Sequence, residues 1–142
     1  MNIYVCGFAE NNGNILFIKK NRGPDAVVGK LNGVGGKVEP EESAHDAMVR
    51  EFQEEVGVLT KKEDWEQKLV YDLIDNDNVV YSRVYFFITQ SDKSTEARQC
   101  EDEVILWVDW KDIPSVEKVE NLNWILPYLF DNNNVVGCVF AK

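Results

Sequence analysis

The sequence predicts an α/β protein in which strands and two helices follow one another along a single domain, residues 1–142. Several short segments are rich in β-branched and aromatic residues and are bounded by glycine, asparagine or proline, as strands are. One segment has the cap residues and the apolar periodicity of an amphipathic helix, and another near the carboxyl end has a helical apolar pattern. With 142 residues, 44% of them hydrophobic, the chain has enough apolar surface for a buried core.

The amino-terminal part of the chain has the pattern of a β-hairpin. Residues 3–9 form the first predicted strand, residues 11–13 (Asn-Asn-Gly) are a hairpin signal, and residues 15–19 return as the second strand. Residues 23–25 (Gly-Pro-Asp) begin a loop. In residues 30–38 three glycines occupy four positions, which lets the backbone approach a ligand closely and expose its amides and carbonyls.

A helix is predicted over residues 43–56. Ser43 is a suitable N-cap with Asp46 three residues further on, an acidic variant of a capping box. Pro40 stands just ahead of the helical pattern, and Gly57 suits the left-handed residue that ends a helix.

Three carboxylates lie close together on this predicted helix. At about 100° per residue, Glu51, Glu54 and Glu55 fall within an arc of roughly 100°. A neighbouring apolar stripe can face a core; it consists of Met48, Val49, Phe52 and Val56. Two charges 4 Å apart interact by about 4 kcal/mol at an effective dielectric of about 20, so converging carboxylates call for a cation. Either they bind a hard ion such as Mg²⁺ or Mn²⁺, or they form a solvated acidic face.

The later elements are mostly strands. They are predicted as a strand at 68–74, a turn at 75–78, a strand at 79–89, a polar surface loop at 90–99, a strand at 104–108 and an Ile-Pro turn at 113–114. The strands at 68–74 and 79–89 are expected to pair as a hairpin, with Phe86, Phe87 and Ile88 in the core. Tyr81 and Arg83 either stay outside the site or line a substrate cleft.

The chain closes with a second helix and a last strand. The helix is predicted over residues 120–129 with Asn121 as N-cap, and Pro127 is expected to kink it or end it early. Residues 131–134 read as a turn and residues 135–140 as the closing strand.

Charge and composition exclude several classes of function. A net charge of −10 argues against broad binding to a nucleic-acid backbone. The three cysteines are widely spaced without a metal-binding pattern. The only histidine, His45, lies on the predicted acidic helix, which argues against Cys–His and Ser-His-Asp chemistry. Without a basic amino-terminal region or an apolar run of about 20 residues, the chain is expected to be cytoplasmic and to have no membrane partner.

The stretch from Gly36 to Val58 resembles the Nudix box position for position. Gly36, five residues, Glu42, seven residues and then Arg-Glu-Phe-Gln-Glu-Glu-Val-Gly-Val reproduce its spacing over 23 residues, with Phe52 where the family more often has an aliphatic residue. The resemblance implies an α/β/α sandwich with a mixed β-sheet between helices. It also implies metal-assisted hydrolysis of a nucleoside diphosphate linked to another group, in which water attacks phosphorus.

The same resemblance implies roles for single residues. Glu51, Glu54 and Glu55 match the metal ligands of the family, and the carbonyl of Gly36 is a further candidate. The expected ion is Mg²⁺, with Mn²⁺ as the alternative. Glu42 would support the site, and Arg50 would orient a glutamate. The resemblance also implies one further acidic residue before residue 104, as a metal ligand or general base, with Glu103 the best match and Glu101 the second. The alternative is that these residues are simply an acidic loop.

Four residues are candidates for substrate binding. Lys19 and Lys37 would contact phosphates, or Lys19 is a surface charge at a strand end. Asn32 resembles the asparagine that faces the base in oxidised-purine triphosphatases, or it stabilises a turn. Asn121 similarly either offers its amide to a purine or caps the second helix.

Three functions are compatible with this pattern. The first is a Mg²⁺-dependent MutT-like pyrophosphohydrolase that converts a nucleoside triphosphate to the monophosphate and pyrophosphate, with 8-oxo-dGTP as a candidate substrate. The second keeps the chemistry but acts on ADP-ribose or a dinucleoside polyphosphate. The third is a Nudix module that binds a nucleotide without turnover. The expected partner is a nucleotide, and the protein is expected to be a monomer or a homodimer.

Overall fold

The computed structural model describes residues 1–21, 28–90, 97, 103–131 and 137–142. Two helices, α1 (Ala44–Val56) and α2 (Leu122–Leu129), and two 3₁₀ segments, Lys62–Asp64 and Trp110–Ser115, occur in this part of the chain. The strands in chain order are β1 (Asn2–Asn11), β2 (Asn14–Lys20), β3 (Leu31–Asn32), β4 (Val34–Lys37), β5 (Glu66–Ile74), β6 (Val80–Gln90), β7 (Glu103–Asp109) and β8 (Gly137–Ala141). Neither helix reaches the length that a membrane crossing requires.

The described strands form one mixed sheet. Its order is β3-β2-β1-β6-β5-β8, with β4 added beside β1 and β7 beside β2. The pairs β1–β6 and β5–β8 are parallel, and the other pairs are antiparallel. The expected mixed sheet is therefore confirmed.

The sheet divides along β1. Only the hairpin end of β1 pairs with β2, at Glu10↔Ile15 and Asn11↔Asn14. The first half of β1 pairs instead with β4, from Tyr4↔Lys37 to Gly7↔Val34. As a result β2 and the glycine-rich β4 diverge from a common neighbour, and side chains from β1, β2 and β3 can reach one cavity.

Each face of the sheet carries its own core. The cluster on the α1 side includes Val5, Leu16, Met48, Phe52 and Phe87, all at most 2% exposed. The cluster on the α2 side is equally buried and includes Phe8, Phe17, Leu69, Ile125 and Leu126. A sheet covered by a helix on either face is the α/β/α sandwich that the sequence predicts.

The hairpin β5–β6 agrees with the prediction in detail. The Asp75 carboxylate accepts hydrogen bonds from the backbone N–H groups of Asp77 (2.8 Å) and Val79 (3.0 Å), which closes the turn. Phe86, Phe87 and Ile88 are all buried as expected. Because strand side chains alternate, Phe87 joins the α1-side core and the other two join the α2-side core.

Other boundaries differ from the prediction. The second helix begins at Leu122 rather than at residue 120, and it continues two residues past Pro127, so the proline lies in the last turn. The glycine-rich segment contains two short strands, β3 and β4, because their backbone groups pair with β2 and β1. The loop at 23–25, most of 90–99 and residues 132–136 lie outside the described part of the chain.

Candidate functional site

Helix α1 has both of the predicted ends. The hydroxyl of Ser43 accepts a hydrogen bond from the backbone N–H of Asp46 at 3.0 Å, which satisfies one of the free donors of the first turn. Gly57 ends the helix with φ of 75° and donates its N–H to the carbonyl of Gln53 at 3.0 Å. These two ends fix the start and the end of the helix that carries Glu51, Glu54 and Glu55.

Arg50 is the centre of a charged cluster that consists of Arg50, Glu42, Glu51 and Glu54. Its Nε and Nη2 donate to the two carboxylate oxygens of Glu42 at 2.8 and 2.9 Å, a bidentate pair. Its Nη1 lies 2.9 Å from Glu51 Oε1 and 3.4 Å from Glu54 Oε2. Nη2 also donates to the carbonyl of Lys37 at 3.0 Å, so Arg50 ties the helix to the end of β4.

These hydrogen bonds hold both partners in their charged forms. The bond from Arg50 lowers the pKa of Glu42 below its ordinary value of 4.5. The same bond, with Glu51 as a smaller contributor, raises the pKa of the Arg50 guanidinium. Arg50 is therefore a permanent cation among carboxylates, which offsets their mutual repulsion.

Gly36 brings the backbone of β4 against Glu51. A methyl group built on Gly36 would overlap the carboxylate of Glu51, Oε1 most severely. Only glycine leaves room for this carboxylate beside the main chain at the start of the box. The two predicted ligands Gly36 and Glu51 are thus neighbours in space.

The three glutamates of α1 have different surroundings. The side chain of Glu51 is 12% exposed and that of Glu54 is 49% exposed, while Glu55 is buried. Across the described residues, no three Asp, Glu, His or Cys side chains lie close enough to form a metal-binding group by themselves. The guanidinium of Arg50 lies against Glu51 and Glu54, so the expected convergence of all three carboxylates is not seen in this arrangement.

The donor chemistry nevertheless fits a divalent ion. Carboxylate oxygens beside a glycine carbonyl are the hard ligands that Mg²⁺ and Mn²⁺ take. Glu51 places its carboxylate beside the backbone of Gly36, the residue whose carbonyl is the further candidate. The assignment of Gly36, Glu51, Glu54 and Glu55 as metal ligands stays a prediction.

An open cleft of about 750 Å³ lies beside this cluster, and we call it the box cleft. Its lining includes Lys37, Glu39, Glu42, Arg50 and Glu51, together with the first residues of β1. Lys37 is exposed here.

A second cavity, of about 280 Å³, lies on the α2 side of the sheet, and we call it the sheet cavity. Aromatic and aliphatic side chains make up much of its wall, among them Tyr4, Tyr71, Val84, Phe86 and Ile125. The polar lining comes from Cys6, Lys20, Asn32 and Asn121. Gly35 and Gly36 also border it, so the glycine strand separates the sheet cavity from the charged cluster.

Asn32 lies in this lining, and its side chain is also part of the local turn. Its Oδ1 accepts a hydrogen bond from the backbone N–H of Gly33 at 2.8 Å. Both interpretations of Asn32 therefore describe part of its environment.

Asn121 occupies the N-cap position of α2 but does not cap it. Its backbone is already helical, with φ −62° and ψ −20°, and its side chain makes no capping hydrogen bond. The amide Nδ2 donates instead to the hydroxyl of Tyr71 at 3.2 Å. The cap interpretation is therefore wrong, because the helical backbone turns the amide away from the first turn and toward the sheet cavity.

The basic candidate Lys19 lies near the end of β2, and the acidic candidate Glu103 begins β7. Lys20 rather than its neighbour Lys19 lines the sheet cavity. Glu103 stands opposite Lys20 in the β2–β7 register. Glu101 lies outside the described residues.

Arg83, Tyr81 and His45 have positions away from both cavities. Arg83 makes a bidentate pair with the buried Asp72, at 2.6 and 2.9 Å, and Tyr81 is half exposed. The imidazole of His45 packs edge-to-face with the ring of Phe87, with ring centroids 4.8 Å apart. The structure thus assigns Arg83 and His45 to packing and pairing within the fold.

Cys6, Lys20 and Tyr71 line the sheet cavity, although the sequence favours Lys19 over Lys20 and marks neither Cys6 nor Tyr71 as a site residue. Each lies in a strand with a regular pattern, so nothing local distinguishes it from a core or surface residue. The one available signal is Tyr71, a side chain with a polar end on the face of β5 that otherwise carries core residues such as Leu69.

Comparison with known proteins defines the class of the chain. The family model of the NUDIX domain matches residues 2–130 of this sequence. The chain therefore belongs to the Nudix family, and it is similar to MutT-like members of that family.

The relatives differ in how much of the chain they cover. An 8-oxo-dGTP diphosphatase of Escherichia coli (strain K12) is 36% identical over 71 residues, 50% of this chain and 55% of that protein. A MutT NUDIX hydrolase from Burkholderia pseudomallei has a similar structure, with a TM-score of 0.72 and 25% identity over 90% of this chain and 97% of that one.

A third neighbour is bifunctional. It is the NMN adenylyltransferase/ADP ribose pyrophosphatase from Francisella tularensis, complexed with AMP and Mn ion, with a TM-score of 0.69. Its identity is 18%, over 89% of this chain and 40% of that one, so this likeness shows the fold alone.

Proposed function

We propose that this protein hydrolyses a nucleoside triphosphate to the monophosphate and pyrophosphate. The base would occupy the sheet cavity, and the phosphates would reach the box cleft. The observation that carries the proposal is the position of Gly36, which borders the sheet cavity on one side and touches Glu51 of the charged cluster on the other. A base and its phosphates could therefore span the two regions across one glycine strand.

Nudix hydrolases use divalent metal ions, and we propose Mg²⁺ here, with Mn²⁺ as a substitute. Glu51, Glu54, Glu55 and the Gly36 carbonyl would hold the ion, which when bound would neutralise phosphate charge and activate water. Arg50 holds Glu51 in place through the 2.9 Å contact and is itself fixed by Glu42. Lys37, and Lys19 or Lys20, would add positive charge for the phosphates.

A purine base, and specifically an oxidised one such as 8-oxoguanine, is the proposed preference. Two amide side chains, Asn32 and Asn121, line the sheet cavity between aromatic walls. Amides can both donate to and accept from a base edge, and aromatic walls suit a planar ring. The 8-oxo-dGTP diphosphatase of Escherichia coli, which is 36% identical over half of this chain, supports the same substrate.

Hydrolysis of ADP-ribose or a dinucleoside polyphosphate is the second candidate. An ADP ribose pyrophosphatase shares this fold, so the fold is compatible with that activity. The sheet cavity, at about 280 Å³, is slightly smaller than the range of about 300–1,000 Å³ that is typical of ligand sites, and it suits one nucleoside better than two. A binding module without turnover is disfavoured because Glu42, Arg50 and the three glutamates of α1 are all present.

One assay separates these functions. Phosphate and pyrophosphate release is measured for canonical and oxidised nucleoside triphosphates, ADP-ribose and dinucleoside polyphosphates, with Mg²⁺ and with EDTA. We expect the highest kcat/KM for an oxidised purine triphosphate and no turnover in EDTA. Higher kcat/KM for ADP-ribose would replace the first proposal by the second.

The substitution Glu54→Gln tests whether the chain is an enzyme of this kind. We expect a loss of turnover of at least about 100-fold with little change in stability, because the side chain is half exposed. Glu63→Gln is the matched control, since it makes the same charge change at an exposed position off the helix and should keep wild-type activity. Retained turnover in Glu54→Gln would contradict the ligand assignment.

A further inference from the structure

The orientation of the Asn32 amide is fixed by its neighbours. A backbone N–H can only donate, so the atom that Gly33 contacts at 2.8 Å must be the side-chain carbonyl oxygen of Asn32. The same oxygen lies 3.9 Å from the thiol of Cys6, which donates to it. The amide nitrogen Nδ2 makes no hydrogen bond to the described residues and is the atom left for a ligand.

Cys6 is held against this turn. It is buried in β1 and lines the sheet cavity, and a methyl group on Gly33 would come within 2.6 Å of its sulfur. Burial, with the nearby charge of Glu55 as a smaller cause, raises the pKa of the Cys6 thiol to about 12. The thiol therefore remains protonated, and remains a donor, at neutral pH.

We propose that Cys6 is a positioning residue for ligand selection: its thiol and the Gly33 N–H together hold Asn32 so that the amide NH₂ faces the sheet cavity. The site then selects a base that presents an acceptor there, a carbonyl oxygen or an unprotonated ring nitrogen. A base presenting N–H or NH₂ at this point is rejected, because Asn32 could offer its oxygen only by giving up two hydrogen bonds. The identity of the ligand as a nucleotide rests on the proposed function. The orientation of Asn32 rests only on its contacts with Gly33 and Cys6.

Two substitutions separate positioning from packing. Cys6→Ser keeps a donor but replaces the soft, apolar sulfur by a smaller polar atom, whereas Cys6→Val keeps apolar volume but removes the donor. If Cys6 positions Asn32, kcat/KM for the best nucleotide falls roughly 3- to 10-fold in Cys6→Val, mainly through KM, and stays within about twofold in Cys6→Ser. If Cys6 only fills space, the order reverses, and the proposal is overturned.

The control is Cys138→Val, which removes an exposed thiol in β8 and should leave kcat, KM and base preference unchanged. A fall in Cys138→Val equal to that in Cys6→Val would also overturn the proposal, because the loss would then not be specific to the cavity. If Cys6→Val does not fold, Cys6→Ala takes its place with the same expected order.

A readout without turnover tests the same contact. In ¹⁵N-labelled protein without nucleotide, the side-chain NH₂ pair that disappears in Asn32→Asp is assigned to Asn32. We expect that pair and the Gly33 amide to shift or broaden in Cys6→Val and to keep their wild-type positions in Cys6→Ser. Unchanged signals in Cys6→Val would refute the positioning role.

The two readouts also separate the failure of each proposal. If the wild-type protein hydrolyses none of the nucleotides, the proposed function fails, and the NMR comparison still decides whether Cys6 orients Asn32. If the wild type is active but Cys6→Val matches it in kcat/KM, the inference fails while the proposed function stands.

Discussion

At the scale of single residues, the charged cluster depends on the absence of a side chain at Gly36. Gly36 lies so close to Glu51 that a Cβ atom would overlap the carboxylate, and its φ angle is not in the left-handed region. The requirement for glycine is therefore steric and directed at one side chain. This makes Gly36 a position where activity and stability can be separated.

Gly36→Ala is expected to lower kcat by about 10- to 100-fold while the protein stays folded, because Glu51 must move to make room. Steady-state kinetics and thermal unfolding are measured together. Gly13→Ala is the control: its φ is +82° and nothing lies within 4 Å, so it should lose roughly 1 kcal/mol of stability and no activity. A Gly36→Ala enzyme with wild-type kcat would show that Glu51 need not stay beside the backbone.

The Glu42–Arg50 pair predicts a dependence of stability on pH. The pKa of Glu42 is lowered in the folded protein, so its contribution is present above the ordinary value of 4.5 and is lost as the pH falls through the folded value. We expect Glu42→Gln to be less stable than wild type near neutral pH and the difference to vanish in acid. Urea unfolding of both proteins from about pH 7 to about pH 3 measures it. A difference that stays constant over this range would argue against the ion pair.

Some residue contacts could be predicted from the sequence and others could not. The i,i+4 pair of Arg50 and Glu54 follows from helical spacing, and it is present at 3.4 Å. The stronger partner of Arg50 is Glu42, which precedes the helix, and only the resemblance to a known box pointed to it. The contacts Cys6–Asn32 and Asn121–Tyr71 join residues 26 and 50 positions apart, so only the tertiary fold creates them.

At the scale of elements, helix α1 is specified at both ends by local chemistry. Ser43 caps its amino end, and Gly57 ends it in the left-handed conformation. These signals involve neighbouring residues only, which is why its bounds could be predicted within a residue. Helix α2 has no side-chain cap. The backbone N–H groups of its first residues donate to the carbonyls of residues 119 to 121, which form a turn rather than helix, so the helix begins two residues after the predicted start at residue 120.

Ser43→Ala is expected to destabilise the protein by about 1 kcal/mol, because the N–H of Asp46 loses its acceptor. Chemical denaturation gives the free energy of unfolding. Ser43→Asp keeps a side-chain acceptor and should stay close to wild type. Equal stability of the alanine and aspartate variants would mean that the hydroxyl contributes nothing as a cap.

At the scale of the whole molecule, the sheet cavity is assembled from distant parts of the chain. Its lining comes from β1, β2, β3, β4, β5, β6 and α2. The strands were predicted individually, but the parallel pairing of β1 with β6 has no local signal. That pairing decides which side chains face Asn32 and Asn121, and therefore the cavity could not be foreseen.

The cysteines report on opening of the whole molecule. Cys6 is buried with its pKa raised to about 12, whereas Cys138 is exposed in β8. In the native protein at neutral pH, we expect a thiol reagent to modify Cys138 at least about 100-fold faster than Cys6. Peptide mapping by mass spectrometry follows each site separately. Similar rates at both sites would mean that the sheet opens readily around β1.

The place of β1 inside the sheet has a consequence for synthesis on the ribosome. Its parallel partner β6 runs from Val80 to Gln90, so one side of β1 stays unpaired until most of the polypeptide has been translated. Hairpins nearer in sequence can form earlier, but this closure over about 70 intervening residues cannot. Until then, the nascent chain exposes the unpaired edge of β1 and its apolar side chains, which favours aggregation or binding by chaperones.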